Sequence, residues 1–184
     1  MKKAFLLAAI LLISVISTAC INNFAVQELN NKAQEFMNKG DYISAIERLK
    51  SSIDLDGTLF ETRYNLAVAY TKAEDYVNAI EAYNNASELN PDFADLYYSR
   101  AVCEENLAKD IISGDLTVNE DGSVVQTDRN NDTEDTVVKD SKLPDNVKKV
   151  IVQNITDSIE DYKSYLDKDQ SDKTTINNKF ICFI

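Results

Sequence analysis

An all-α domain built from antiparallel helical hairpins is what this sequence predicts, on three observations. One spacing recurs: Ala33, Phe36, Ala45, Leu49 and Ser52 return one period later as Ala67, Tyr70, Ala79, Tyr83 and Ala86, the same size classes in the same order. Helix punctuation falls at matching places, with Gly40-Asp41 and Glu74-Asp75 inside each period and Gly57 and Pro91 near its end. Further on, Val147, Ile151, Ile155, Ile159, Tyr162 and Leu166 recur every three or four residues, the apolar stripe of one long helix. The chain has 184 residues, 44% hydrophobic and 27% charged, which suits one globular domain rather than a disordered segment.

The N-terminus is set apart first. Lys2 and Lys3 precede the apolar run Ala4 to Ile16 and then Ser17-Thr18-Ala19-Cys20, so residues 1–19 read as a signal peptide. The run is shorter than the ~20 residues that span a bilayer, which makes an uncleaved anchor the weaker reading. Ser17-x-Ala19 fits the small-x-small rule of ordinary secretory cleavage, leaving a soluble secreted or periplasmic chain. Cys20 after a small residue also resembles the bacterial lipobox, in which that thiol is lipidated and becomes the new N-terminus. That resemblance implies a lipoprotein anchored through Cys20 at the cell envelope, with residues 20–25 as a tether.

The repeats fill 26–110. In the first, Gly40 suits the left-handed residue that ends one helix and Asp41 the cap that starts the next. The second, Phe60 to Phe93, reads Arg63-x2-Leu66-Ala67-x2-Tyr70, then Ala79-x3-Tyr83, then Pro91. It resembles the tetratricopeptide repeat (TPR), whose 34-residue pattern is Trp-x2-Leu-Gly-x2-Tyr, Ala-x3-Phe, Pro. Arg63, Ala67 and Tyr83 depart from the Trp, Gly and Phe. A third frame opens at Ala94 with Tyr97, Tyr98, Arg100, Ala101 and Leu107, then breaks. Its second half resumes at Ser158-Ile159-Glu160-Asp161-Tyr162, which reads like Ala79-Ile80-Glu81-Ala82-Tyr83.

The acidic insertion at 111–143 therefore splits the third repeat. Within it, Leu116 to Asn119 and Ser123 to Gln126 flank Asp121-Gly122 as a β-hairpin. Asp128 to Asp140 lacks the apolar surface to offset ordering and is expected to be flexible. The long helix follows at 144–168, with Pro144 suited to a first turn. A tail at 169–184 ends in Lys179-Phe180-Ile181-Cys182-Phe183-Ile184, which is expected to dock on the last helix or on a partner.

The resemblance implies a right-handed αα-superhelix whose first helices line a concave groove. Carried onto this sequence, the groove positions are Gln27, Asn30, Gln34, Met37 and Asn38 in the first repeat. The binding candidates of the later repeats are Tyr64, Val68, Lys72, Tyr98 and Val102, an apolar and aromatic strip for a protein or peptide segment. Chaperone-binding relatives clamp a terminal carboxylate with Lys, Asn and Arg. The corresponding places hold Asn30, Gln34, Asn65, Asp95 and Ser99, with no cation to balance the charge.

Composition narrows the rest. Net charge is −12, and the leader carries two Lys and no acid, so the chain beyond it is more acidic still. That disfavours nucleic acid and leaves the lipid as the membrane contact. There is no His, no glycine-rich phosphate loop and no base beside Cys103, so we expect neither an enzyme with a small-molecule substrate nor a resident cofactor or metal. Thr117-x-Asn119-x-Asp121-Gly122 echoes a calcium loop, but Thr117 spoils its first ligand and the hairpin turn is preferred. Cys103 and Cys182 are expected as two separate thiols. The expected function is an envelope-anchored interaction module, adaptor or scaffold. The alternative is a structural subunit that packs through its last helix and tail.

Overall fold

The computed structural model describes residues 23–126 and 144–168, in two units that run to Ala73 and from Glu74. The first unit holds α1 (23–38), α2 (Tyr42–Leu55) and α3 (Phe60–Lys72). Residues 23–25, expected in a tether, are already helical. Val26 is buried, which anchors the first turn of α1 by packing. After α1 the chain reverses at Gly40, whose φ of +75° places it in the left-handed region open to a residue without a Cβ. Asp41 then caps α2, its Oδ1 accepting the Ser44 N–H at 3.1 Å. The buried apolar residues of this unit are mostly small or branched, Val26, Ala33, Ala45, Ile46, Leu49, Ala67 and Ala69, with Tyr70 the large ring among them.

Two polar links tie this unit together. Asn30 on α1 donates through Nδ2 to Ser52 Oγ on α2 at 3.2 Å and to Thr62 Oγ1 on α3 at 3.0 Å. Arg63, which stands in place of the pattern's Trp, donates through Nε to the Gly57 carbonyl at 2.7 Å. A Cβ on Gly57 would lie 3.1 Å from Arg63 Nη2, so the close approach of guanidinium to backbone favours glycine here.

The second unit holds α4 (Tyr76–Leu89), α5 (Ala94–Ser113), β1 (Leu116–Val118), β2 (Val124–Gln126) and α6 (Asp145–Lys168). Asp75 caps α4 by accepting the Asn78 N–H at 3.3 Å, as Asp41 caps α2. Tyr97 Oη donates to the Pro91 carbonyl at 2.8 Å, one period after the Arg63 to Gly57 bond. The fourth position of each later repeat thus reaches back to fasten the preceding loop, whether it is cationic or aromatic.

The insertion begins later than the sequence suggests. Ile111 is a buried residue of α5, which continues to Ser113 and stops at Gly114 with φ +80°. Burial explains the extension, because Leu107, Ala108 and Ile111 form one core cluster with Ile151 of α6. β1 and β2 pair antiparallel, Leu116 opposite Gln126 and Val118 opposite Val124, around Gly122 at φ +87°. Leu116, Val118 and Val124 pack on that same cluster. Nearer the start of α5, Ala101 packs with Tyr162 and Tyr165, so α6 runs antiparallel along α5.

The expected flexible run Asp128 to Asp140, the tail with Cys182, and the leader with Cys20 lie outside the described residues. Among the described residues no helix is long and apolar enough to cross a membrane.

Candidate interaction faces

The five groove candidates fall in two places. Tyr64, Val68 and Lys72 follow at every fourth residue along α3 and so share a face of the first unit. Tyr64 is half-buried with its ring stacked on Phe60, centroids 5.8 Å apart at 23°, which limits its freedom to move. Val68 is half-buried and Lys72, in the last turn of α3, is exposed. The Asn30 to Thr62 bond sets α1 beside α3, and α1 presents Gln27, Gln34 and Asn38 to solvent. Gln34 Nε2 donates to Asn38 Oδ1 at 3.0 Å. Asn30 itself, expected in the groove, points its amide at Ser52 and Thr62 instead. Two buried hydroxyls need partners there, and a short carboxamide one turn from Ala33 supplies them.

Tyr98 and Val102, the candidates on α5, correct the sequence expectation. Both pack against the cluster that α5 makes with α6. Tyr98 meets Tyr162 edge-on at 5.8 Å and Tyr165 at 5.5 Å between centroids. Helix α6 is long enough to lie over them, and half-buried Tyr98 reduces its exposure by packing on the buried rings of Tyr162 and Tyr165 rather than lining an open groove.

What the α5–α6 interface holds instead is charge. Arg100 Nε and Nη2 donate to Asp161 Oδ2 and Oδ1, each at 2.6 Å, while Nη1 donates to Asn84 Oδ1 on α4 at 2.6 Å. The bidentate geometry is the strong form of the guanidinium–carboxylate pair. One turn on, Glu104 is 5% exposed and its Oε2 has no hydrogen-bond partner among the described residues. Burial, then the charges of Asp161 and Asp157, push its carboxyl up to about 8 against the pull of Arg100. Burial also pushes the Tyr162 phenol up, with Glu105 adding to the effect.

Sequence reasoning missed this cluster, although one signal was present. Asp161 stands at the frame position of Ala82, a buried small residue, and an acid in such a place requires a cation from a neighbouring helix. In the repeat frame Arg100 reads only as a residue of the third repeat's first helix.

The remaining sites resolve simply. The Asp121 carboxylate accepts from Ser123 N–H at 2.9 Å and Ser123 Oγ at 2.6 Å, which turns it into the hairpin. Cys103 is sealed inside α5. Asp95 is exposed and Ser99 half-buried, while Asn30 is committed to its two hydroxyls.

These hairpins define a helical-repeat protein. Residues 60–93 match the family model of the tetratricopeptide repeat. No curated protein matches the chain. Among solved structures it is similar to the first TPR of Spaghetti (RPAP3) bound to HSP90 peptide SRMEEVD, at 16% identity and a TM-score of 0.53, covering 83% of this chain and 86% of that one. The second TPR of Spaghetti (RPAP3), bound to the same peptide, matches at 15% identity and a TM-score of 0.53, covering 83% of this chain and 99% of that one. At such identities the likeness is one of fold.

Proposed function

We propose that this chain is a protein-interaction module that holds a polypeptide segment against the α1–α3 face of its first unit. The observation that carries this reading is the face itself: Tyr64 held by Phe60, Val68 beside it, exposed Lys72 at one end, and the exposed carboxamides Gln27, Gln34 and Asn38 on neighbouring α1. An anchored aromatic loses little entropy on binding, and carboxamides can both donate to and accept from a peptide backbone. The Spaghetti repeats bind a peptide on the same fold, which supports the class of ligand. It does not support the same ligand, because SRMEEVD is acidic and the clamp positions here offer Asn30, Gln34, Asn65, Asp95 and Ser99.

The module would be displayed at a bacterial envelope by lipid on Cys20, a reading that rests on the leader alone. On this reading the chain acts as an adaptor.

Affinity capture from detergent-solubilised envelopes tests the face. Tyr64→Ala and Lys72→Glu are expected to lose a partner that Tyr98→Ala retains, with circular dichroism showing that all three fold. Retention by Tyr64→Ala and loss by Tyr98→Ala would move the binding surface to the second unit. For the anchor, Cys20→Ser is expected to shift the protein from the detergent phase to the aqueous phase; an unchanged distribution would refute lipidation.

A further inference from the structure

We propose that α6 docks on α5 with uptake of one proton at Glu104, so that closure of the split repeat is favoured by acid. Among the described residues the geometry leaves a single cation for two carboxylates at the heart of the interface. Arg100 is used up: its Nε and Nη2 go to Asp161, and its Nη1 goes across to Asn84. Glu104 lies one helical turn further along the same face of α5, buried, with Oε2 unpartnered among the described residues. A carboxylate in that position keeps one buried oxygen without a hydrogen bond among the described residues, and Arg100, already committed to Asp161, offsets only part of its charge. The acid form removes the charge.

The groups that act on Glu104 come from both helices. From α6 the carboxylates of Asp161 and Asp157 oppose its ionisation, and from α5 only the guanidinium of Arg100 favours it. Helix α4 contributes the neutral Asn84 to Arg100. Glu105 and Tyr162 lie beside the cluster, where they act on one another. Docking therefore places Glu104 nearer to negative charge and further from water. With α6 removed, the carboxyl would return towards its ordinary value of 4.5.

Between about pH 4.5 and about 8 the docked form carries one proton that the open form lacks, so rising pH releases that proton and favours opening. Above about 8 both forms are ionised and the dependence levels off. Opening would uncover Tyr98, Val102 and Ala101, the surface that α6 now covers.

Hydrogen exchange at the α6 amides of the full chain, corrected for the intrinsic chemical rate, reads the opening equilibrium directly. The opening constant is expected to rise nearly tenfold per pH unit from pH 5.5 to 7.5 in the wild type, the slope for one proton. In Glu104→Gln, which keeps the shape and removes the titration, it should be flat. A wild-type opening constant that does not change with pH, or an equal slope in both proteins, would overturn the proposal. If Glu104→Gln does not fold, the carboxyl-carbon NMR titration of Glu104 in the wild type decides: a midpoint near the ordinary value refutes it, and one well above supports it.

Discussion

In the first repeat only Lys39, Gly40 and Asp41 separate α1 from α2, whereas in the third everything from Gly114 to Pro144 separates α5 from α6. A link roughly ten times longer costs on the order of 2 kcal/mol more to close. The two interfaces differ accordingly. The first repeat buries Ala33, Ala45 and Leu49 with one bridging amide, and its turn geometry already fixes the register. The third uses a 20-residue and a 24-residue helix, two separate core clusters, edge-packed tyrosines and a buried ion pair. Where the covalent link stops setting the register, side chains must set it.

Arg100 is the place to break that comparison. Arg100→Ala strands the Asp161 carboxylate, which is 7% exposed, and is expected to cost about 3–5 kcal/mol in urea unfolding. The matching deletion in the first repeat, Asp41→Ala, removes one exposed cap bond and should cost much less. Equal losses would show that the ion pair does not hold the split repeat together. Replacing the pair jointly by Arg100→Met and Asp161→Leu should be far milder than either single change, because no charge is then left without its partner.

The far cluster sharpens the same point. Ile151 lies more than two turns from Asp161 on α6 and packs with Leu107, Ala108 and Ile111. Ile151→Ala is expected to cost about 2–5 kcal/mol, and its effect should add to that of Arg100→Ala because the sites share no partner. A combined loss well short of the sum would mean that one cluster does not form without the other.

How much of this the sequence held depends on whether a rule is local. Caps, turns and repeat frame are local, so Asp41, Asp75, Gly40 and the hairpin at Gly122 could be placed from a few neighbouring residues. Helix ends set by distant packing could not: Ile111 extends α5 because Ile151 meets it, and Val26 draws residues 23–25 into α1. The α5 half of the candidate site departs from the expectation for the same reason. Groove positions transfer from a family frame only while the frame is unbroken, and the insertion let α6 lie over Tyr98 and Val102. Asn30 turned inward because Ser52 and Thr62 were buried without partners, a need visible only once three helices are in place.

The smallest expected effects concern the two equivalent turns. Gly40 and Glu74 occupy the same frame position and the same left-handed region, at φ +75° and +60°, but only one of them is glycine. A side chain with a Cβ in that region costs roughly 1–2 kcal/mol. Gly40→Ala should therefore destabilise by about that amount, and by conformation alone, since a Cβ there would meet nothing within 4 Å. Glu74→Gly should do the reverse and raise Tm by a few degrees. Part of that gain has a second source. Burial and then the charge of Glu74 push the Asp110 carboxyl up, so removing the charge relieves a repulsion as well as the strain. Glu74→Gln separates the two, because it keeps the Cβ and loses the charge. Backbone strain is the main term if Glu74→Gln recovers little of the stability that Glu74→Gly gains, and electrostatics is if it recovers most.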